Sequence, residues 1–204
     1  VIKGATVFDG SGKDSVICDV AISADKIVFV GQLGKGYTTK NTINGKGLYL
    51  SPGFIDPHTH YGGFLNHAKE EDRMLPRALM QGVTTVFMGN DGTSLIPIDK
   101  ALDNFEKQGI GPNAALFVGH NTVRRKVLGT ADVQPTNAQL KEMEQLVEKA
   151  MKDGAFGIST GLFYTPGNFA RTEEVVALSK VAAQHGGIYD THQRDEGSQN
   201  IGVV

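Results

Sequence analysis

The sequence predicts an α/β fold: a mainly parallel sheet covered by helices over residues 51–204, preceded by a small β-rich unit over residues 1–50. Three observations carry this reading. After Pro52-Gly53, short apolar segments alternate with amphipathic stretches of helical period, the pattern of repeated β–α units. Those apolar segments lack a polar face, as strands buried on both sides of a parallel sheet require. Before Pro52, apolar and polar residues alternate between glycine-rich turns, as in half-exposed antiparallel strands. Glycine is abundant, 26 of 204 residues, but has no fixed period. It therefore marks tight turns rather than a fibre.

In the first 50 residues VIKGATVFDG, DVAISADKIVFVG and LYLSPG read as strands joined by GSGKDS and GQLGKGY. Ala24-Asp25 before Lys26 reads as a hairpin turn, because Asp tolerates turn geometry. Beyond residue 50 the strand candidates are GFIDPH, TTVFMGN, AALFVGH, AFGIST and GIYDTH. The helix candidates are EEDRMLPRALMQG, PIDKALDNFEKQG, TNAQLKEMEQLVEKAMKDG and TEEVVALSKVAAQHGG. Thr136 with Gln139 forms a capping box, and Gly154 stops that helix. Leu140, Met143, Leu146, Val147 and Met151 make one apolar face of it. Thr172 precedes a further helix that Gly186 ends. A doubly wound sheet and a closed (β/α)₈ barrel are both compatible with this order. Eight units would receive about 19 residues each where a βαβ unit needs roughly 30, so a barrel in this chain is incomplete.

Composition excludes several classes. Lys+Arg is 20 and Asp+Glu is 22, a net charge of −2, so no basic surplus exists to hold a nucleic acid. A single cysteine, Cys18, excludes an intramolecular disulfide framework and reads as a buried strand residue. No apolar run reaches the length of a membrane span. A cytoplasmic location is expected. The chain begins at Val1 rather than Met, which leaves periplasmic or secreted placement open.

In either parallel architecture, chemistry sits at the carboxyl ends of the strands. Those ends read Asp56-Pro57-His58-Thr59-His60, Gly89-Asn90-Asp91-Gly92, Gly119-His120-Asn121, Ser159-Thr160-Gly161 and Thr191-His192-Gln193-Arg194. His58 and His60, two apart on a strand, share a face and can converge on one ion. His120 is expected as internal support or as a substrate contact. Ser159 reads as structural, His185 as a helix C-terminal cap, and Arg124-Arg125-Lys126 as a solvated charge run.

The run SPGFIDPHTHY resembles the first-strand signature of the amidohydrolase superfamily of metal-dependent hydrolases. GVTTVFMGNDGTS, FVGHNTVRRKVLG, GAFGISTGLFYTPG and THQRDEGS resemble, in order, successive motifs of the N-acyl-D-amino-acid deacylases (D-aminoacylases). The resemblance implies a partial metal-dependent (β/α)₈ (TIM) barrel beside an N-terminal β-sandwich portion. Residues 1–50 would form part of the sandwich, and residues 51–204 about the first five barrel strands. It implies hydrolysis of the amide bond of N-acyl-D-amino acids, giving a carboxylate and a D-amino acid.

By the same resemblance His58, His60 and His192 bind metal, and Asp91 stands where these enzymes usually place a cysteine ligand. Zinc, as one or two ions, is the expected cofactor, with manganese or another divalent ion as the alternative. Tyr164 is expected to hold the substrate carboxylate; His120, from its place at the predicted mouth rather than from the resemblance, is expected either as internal support or as a substrate contact. The general-base aspartate is expected beyond Val204. The chain alone is therefore expected to be inactive, with the remainder of the polypeptide or a second chain closing the barrel. Two alternatives compete: another amidohydrolase, such as a dipeptidase, hydantoinase or dihydroorotase, and a non-catalytic protein that keeps the fold.

Overall fold

The computed structural model describes residues 1–195 and residue 197. The chain divides into two compact units, one of Val1–Gly53 and one beginning at Phe54.

The first unit is a mixed sheet of β1 (Ile2–Val7), β2 (Val16–Ser23), β3 (Lys26–Gly31), β4 (Ile43–Asn44) and β5 (Tyr49–Leu50). β1 pairs antiparallel with β2, and β2 with β3, while β4 and β5 run parallel to β1. Ala24 and Asp25 make the two-residue turn between β2 and β3, with Ser23 opposite Lys26. The left-handed residue there is Ala24, at φ 53°, and not Asp25. Cys18 and Val20 of β2 are buried with Ala5 of β1.

The second unit contains the parallel strands β6 (Phe54–Asp56), β7 (Val83–Met88), β8 (Asn113–Gly119), β9 (Gly157–Gly161) and β10 (Ile188–His192). Their order in the sheet follows the chain, from β6 through β10. That order decides between the two architectures left open by the sequence. A doubly wound sheet reverses direction at a switch point, whereas a barrel adds each strand beside the last. The sheet is also strongly curled. Four flat inter-strand spacings would separate β6 from β10 by about 19 Å. Yet Asp190 Oδ1 on β10 lies 3.8 Å from Nδ1 of His58, just beyond β6. The unit is a half-barrel.

The helices that cover it are α1 (Gly62–Leu65), α2 (Glu70–Arg73), α3 (Pro76–Leu79), α4 (Ile98–Gln108), α5 (His120–Leu128), α6 (Asn137–Lys152) and α7 (Thr172–Gln184). Side chains alternate across the strands as the pleat requires. Val86, Met88, Leu116, Val118 and Ile158 pack outward against Ile98, Phe105, Met143, Val147, Met151 and Leu178 of the helices. Phe87 and Phe117 take the other face, where Phe87 meets the Phe156 ring edge-on at 4.8 Å. The capping box on α6 is present: Thr136 Oγ1 accepts from Gln139 N, and Gln139 Oε1 accepts from Thr136 N.

Three local expectations are corrected. EEDRMLPRALMQG is two single turns, α2 and α3, because Pro76 interrupts it and Leu75 before it turns left-handed at φ 47°. A residue preceding proline is excluded from the helical region by the ring. α7 begins at Thr172 itself, with Arg171 as the flanking residue and no side-chain cap. HNTVRRKVL forms α5, and Arg124, read as part of a solvated run, is fully buried.

Candidate metal centre

The segment after β6 carries His58 and His60 on one side and Thr59 on the other. Thr59 is buried, and both its backbone N–H, at 3.0 Å, and its hydroxyl, at 2.6 Å, donate to the carbonyl of Phe87 on β7. This pinning turns the two imidazoles the opposite way, toward the turn that follows β7. Their rings stand 5.5 Å apart, nearly perpendicular.

Asp91 sits in that turn at φ 56°, a conformation that Asp adopts more readily than most residues. Neighbouring strands hold the turn. Gly92 N donates to Ser159 Oγ at 3.1 Å, and the same hydroxyl donates to Gly89 O. Thr122 N donates to Gly92 O at 3.1 Å. A side chain at Gly161 would meet the carbonyl of Asp91 at 2.2 Å, so the glycine lets β9 close on the turn. Ser159 thus has the structural place expected of it.

Asp91 Oδ1 lies 3.4 Å from His58 Nε2, and Asp91 Oδ2 lies 3.2 Å from His60 Nε2. Among the described residues, His58, His60 and Asp91 form a group whose donor atoms all lie within 4.8 Å of one another. Asp91 Oδ1 is buried and accepts no hydrogen bond. A buried carboxylate oxygen left so costs at least about 1–3 kcal/mol, which a cation between the three side chains would offset. The spacing fits such an ion. Ligands about 2.1 Å from a tetrahedral centre lie roughly 3.4 Å from each other. Two imidazole nitrogens and a carboxylate suit zinc, and the oxygen donor also admits manganese.

The structure does not gather His192 with these three. Its ring meets Tyr164 edge-on, 4.7 Å between centroids, and lies tilted against Phe163 at 5.5 Å, and its Nδ1 lies 3.0 Å from Gln193 O. Tyr164 is partly exposed in the loop after β9, next to this rim. Of the THQRDEGS motif, Glu196 and Ser198 lie outside the described residues.

For His120 the structure shows the internal position, one of its two expected places. It is fully buried, with Nε2 2.7 Å from Glu174 Oε1 and Nδ1 3.3 Å from Asn121 Oδ1. No face of it is open to a substrate. Arg124 donates to the other Glu174 oxygen and to Val133 O. Burial pushes the Glu174 carboxyl up, but hydrogen bonds from His120 and Arg124 outweigh it and hold the group below its ordinary 4.5.

Three residues escaped the sequence reading. Asn121 Nδ2 donates to the carbonyls of Gly161, at 3.0 Å, and Tyr164, at 3.3 Å, and so shapes the tyrosine loop. Asn90 accepts from Thr59 N and donates to Pro57 O and Asp190 Oδ2. Asp190 faces His58. Its one sequence signal is its place two residues before His192, on the same face of a strand.

A curled parallel half-barrel with paired histidines after its first strand and a carboxylate after its second is the arrangement that the resemblance to amidohydrolases implies. Comparison with known proteins narrows the class. A D-aminoacylase of Alcaligenes xylosoxydans xylosoxydans is 34% identical over 227 residues, an alignment covering 100% of this chain and 46% of that protein. A D-aminoacylase crystal structure described as defining a novel subset of amidohydrolases superposes with a TM-score of 0.86 at 33% identity, over 96% of this chain and 45% of that one. An N-acyl-D-glutamate deacylase from Bordetella bronchiseptica, solved with zinc and a phosphonate inhibitor mimicking the tetrahedral intermediate, gives a TM-score of 0.87 at 28% identity with the same coverages, 96% and 45%. No family model matches. The chain belongs to the D-aminoacylase family of amidohydrolases. It spans about half the length of the relatives it matches.

Proposed function

We propose that the protein carrying this half-barrel hydrolyses N-acyl-D-amino acids to a carboxylate and a D-amino acid, using a divalent cation held by His58, His60 and Asp91. The convergence of those three side chains at the carboxyl rim carries the reading. Such a cation, zinc in the first instance, supplies Lewis acidity toward the amide carbonyl and acidifies water to a nucleophile near neutral pH.

The chain's own residues do the rest of what this half of the site contributes. His58 and His60 present Nε2, and Asp91 supplies negative charge fixed by the turn it occupies. Phe163 and Tyr164 line the rim, and the Tyr164 hydroxyl donates to the substrate carboxylate, orienting the D-configured carbon. Asn121 fixes the backbone of that loop. His192 remains a candidate donor for a second ion, on its strand-end position and motif. His120 holds the helices behind the site and does not touch substrate. β9, Gly157–Gly161, contains no lysine, so the lysine-bridged centre on which the hydantoinase and dihydroorotase alternatives rest has no residue on that strand.

The test is hydrolysis of N-acetyl-D-amino acids and their L-enantiomers by the full-length protein, metal-stripped and then zinc-loaded. Turnover of the D-series that depends on added zinc is expected. Zinc-loaded protein that leaves the D-series intact, or cleaves the L-series equally well, refutes the proposal.

A further inference from the structure

Asp190 is a carboxylate inside the half-barrel that the proposed reaction does not use. Its Oδ2 accepts from Asn90 Nδ2 at 3.0 Å, and its Oδ1 faces His58 Nδ1 at 3.8 Å. Asn90 is itself fixed. It is buried, and it also bonds the backbone at Pro57 and Thr59, on either side of His58. His58 thus lies between two carboxylates, with Asp91 toward Nε2 and Asp190 toward Nδ1.

We propose that Asp190 is a positioning residue of the metal centre: its Oδ1, 3.8 Å from His58 Nδ1, closes to a hydrogen bond with that N–H when the ion is bound and thereby fixes the tautomer whose Nε2 lone pair faces the ion. This rests on the metal-centre reading above. A neutral imidazole carries one proton, so one nitrogen donates and the other is free to ligate. A carboxylate behind the donating nitrogen selects that tautomer and makes the ligating nitrogen more basic. The same carboxylate joins β10 to the ends of β6 and β7, so the far edge of the half-barrel sets the orientation of a ligand on the near edge. The requirement for a carboxylate is specific. Asp190 accepts from Asn90 and faces His58 Nδ1 with its other oxygen, and an asparagine has one accepting and one donating end. It would have to turn its amide N–H toward one of those two groups.

The test is zinc affinity of the full-length protein, read by competition with a chromophoric chelator, for the parent, Asp190→Asn and His58→Ala. Asp190→Asn is expected to bind zinc about 10- to 100-fold more weakly at unchanged stoichiometry. Affinity within twofold of the parent for Asp190→Asn, while His58→Ala binds poorly, overturns the role of Asp190 and leaves the metal centre standing. A parent that binds no zinc overturns the metal reading and this proposal with it. A second measurement needs no variant. In the zinc-loaded parent, ¹⁵N shifts of His58 are expected to show a protonated Nδ1 and a ligating Nε2. The reverse assignment overturns the proposal even if Asp190→Asn does not fold.

Discussion

Replacing Glu174 by alanine should unfold the half-barrel more readily than any exposed substitution of the same kind. Glu174, at 3% exposure, meets Arg124 and His120, both at 0%. Removing the carboxylate leaves the guanidinium buried with Val133 O as its remaining acceptor and with an Nε that has no partner. Breaking a buried pair from one side costs about 3–5 kcal/mol, because the surviving charge keeps its desolvation penalty. At roughly 2–4 °C per kcal/mol for a chain of this size, the melting temperature should fall by about 6–20 °C. Urea denaturation followed by far-UV circular dichroism measures the free-energy loss and a thermal melt the fall in melting temperature, with exposed Glu106→Ala as a control expected within about 0.5 kcal/mol of the parent. The pH dependence has a definite sign. The Glu174 carboxyl is held below its ordinary 4.5 in the fold. Its contribution is therefore fully present above that value and is lost as pH falls through the lower, folded pKa. The stability gap between the parent and Glu174→Gln should narrow on acidification below pH 4.5. A Glu174→Ala variant within about 1 kcal/mol of the parent at neutral pH would refute the reasoning.

Three further outcomes are expected. His58→Ala and Asp91→Ala should each weaken zinc binding by at least the roughly 100-fold that marks loss of a major outer partner, measured by chelator competition. Gly161→Ala should destabilise by about 1–3 kcal/mol and weaken zinc binding as well, since the added carbon meets the Asp91 carbonyl; chemical denaturation and metal titration read the two effects separately. Tyr164→Phe should raise KM for N-acyl-D-amino acids by about 10- to 100-fold while leaving zinc affinity unchanged, because it removes one hydrogen bond to a charged group.

What the sequence revealed and what it hid have the same cause. His58 and His60 were legible because two residues apart on an extended segment is a local relation, and Asp91 because a strand end is a local position. The five strands of the half-barrel and the α6 capping box were legible for the same reason. Asp190 was not, since its meeting with His58 exists only once four strand-to-strand steps have curled the sheet. Arg124 was misread because its neighbours Arg125 and Lys126 are exposed, while its own partner, Glu174, lies 50 residues away. α5 escaped notice because its inward face carries His120, Asn121 and Arg124 alongside Val123, so hydrophobic periodicity does not mark it. His192 stands at a strand end, as expected, and its ring meets Tyr164 edge-on at 4.7 Å rather than joining His58, His60 and Asp91.

The central claim is that two imidazoles and a turn-held carboxylate share one cation at the carboxyl rim of the half-barrel. An anomalous difference map at the zinc edge, from zinc-soaked crystals, tests this most directly. The account predicts its strongest peak about 2.0–2.2 Å from His58 Nε2, His60 Nε2 and an Asp91 oxygen. A peak bound by other side chains, with those three left without an ion, would contradict it.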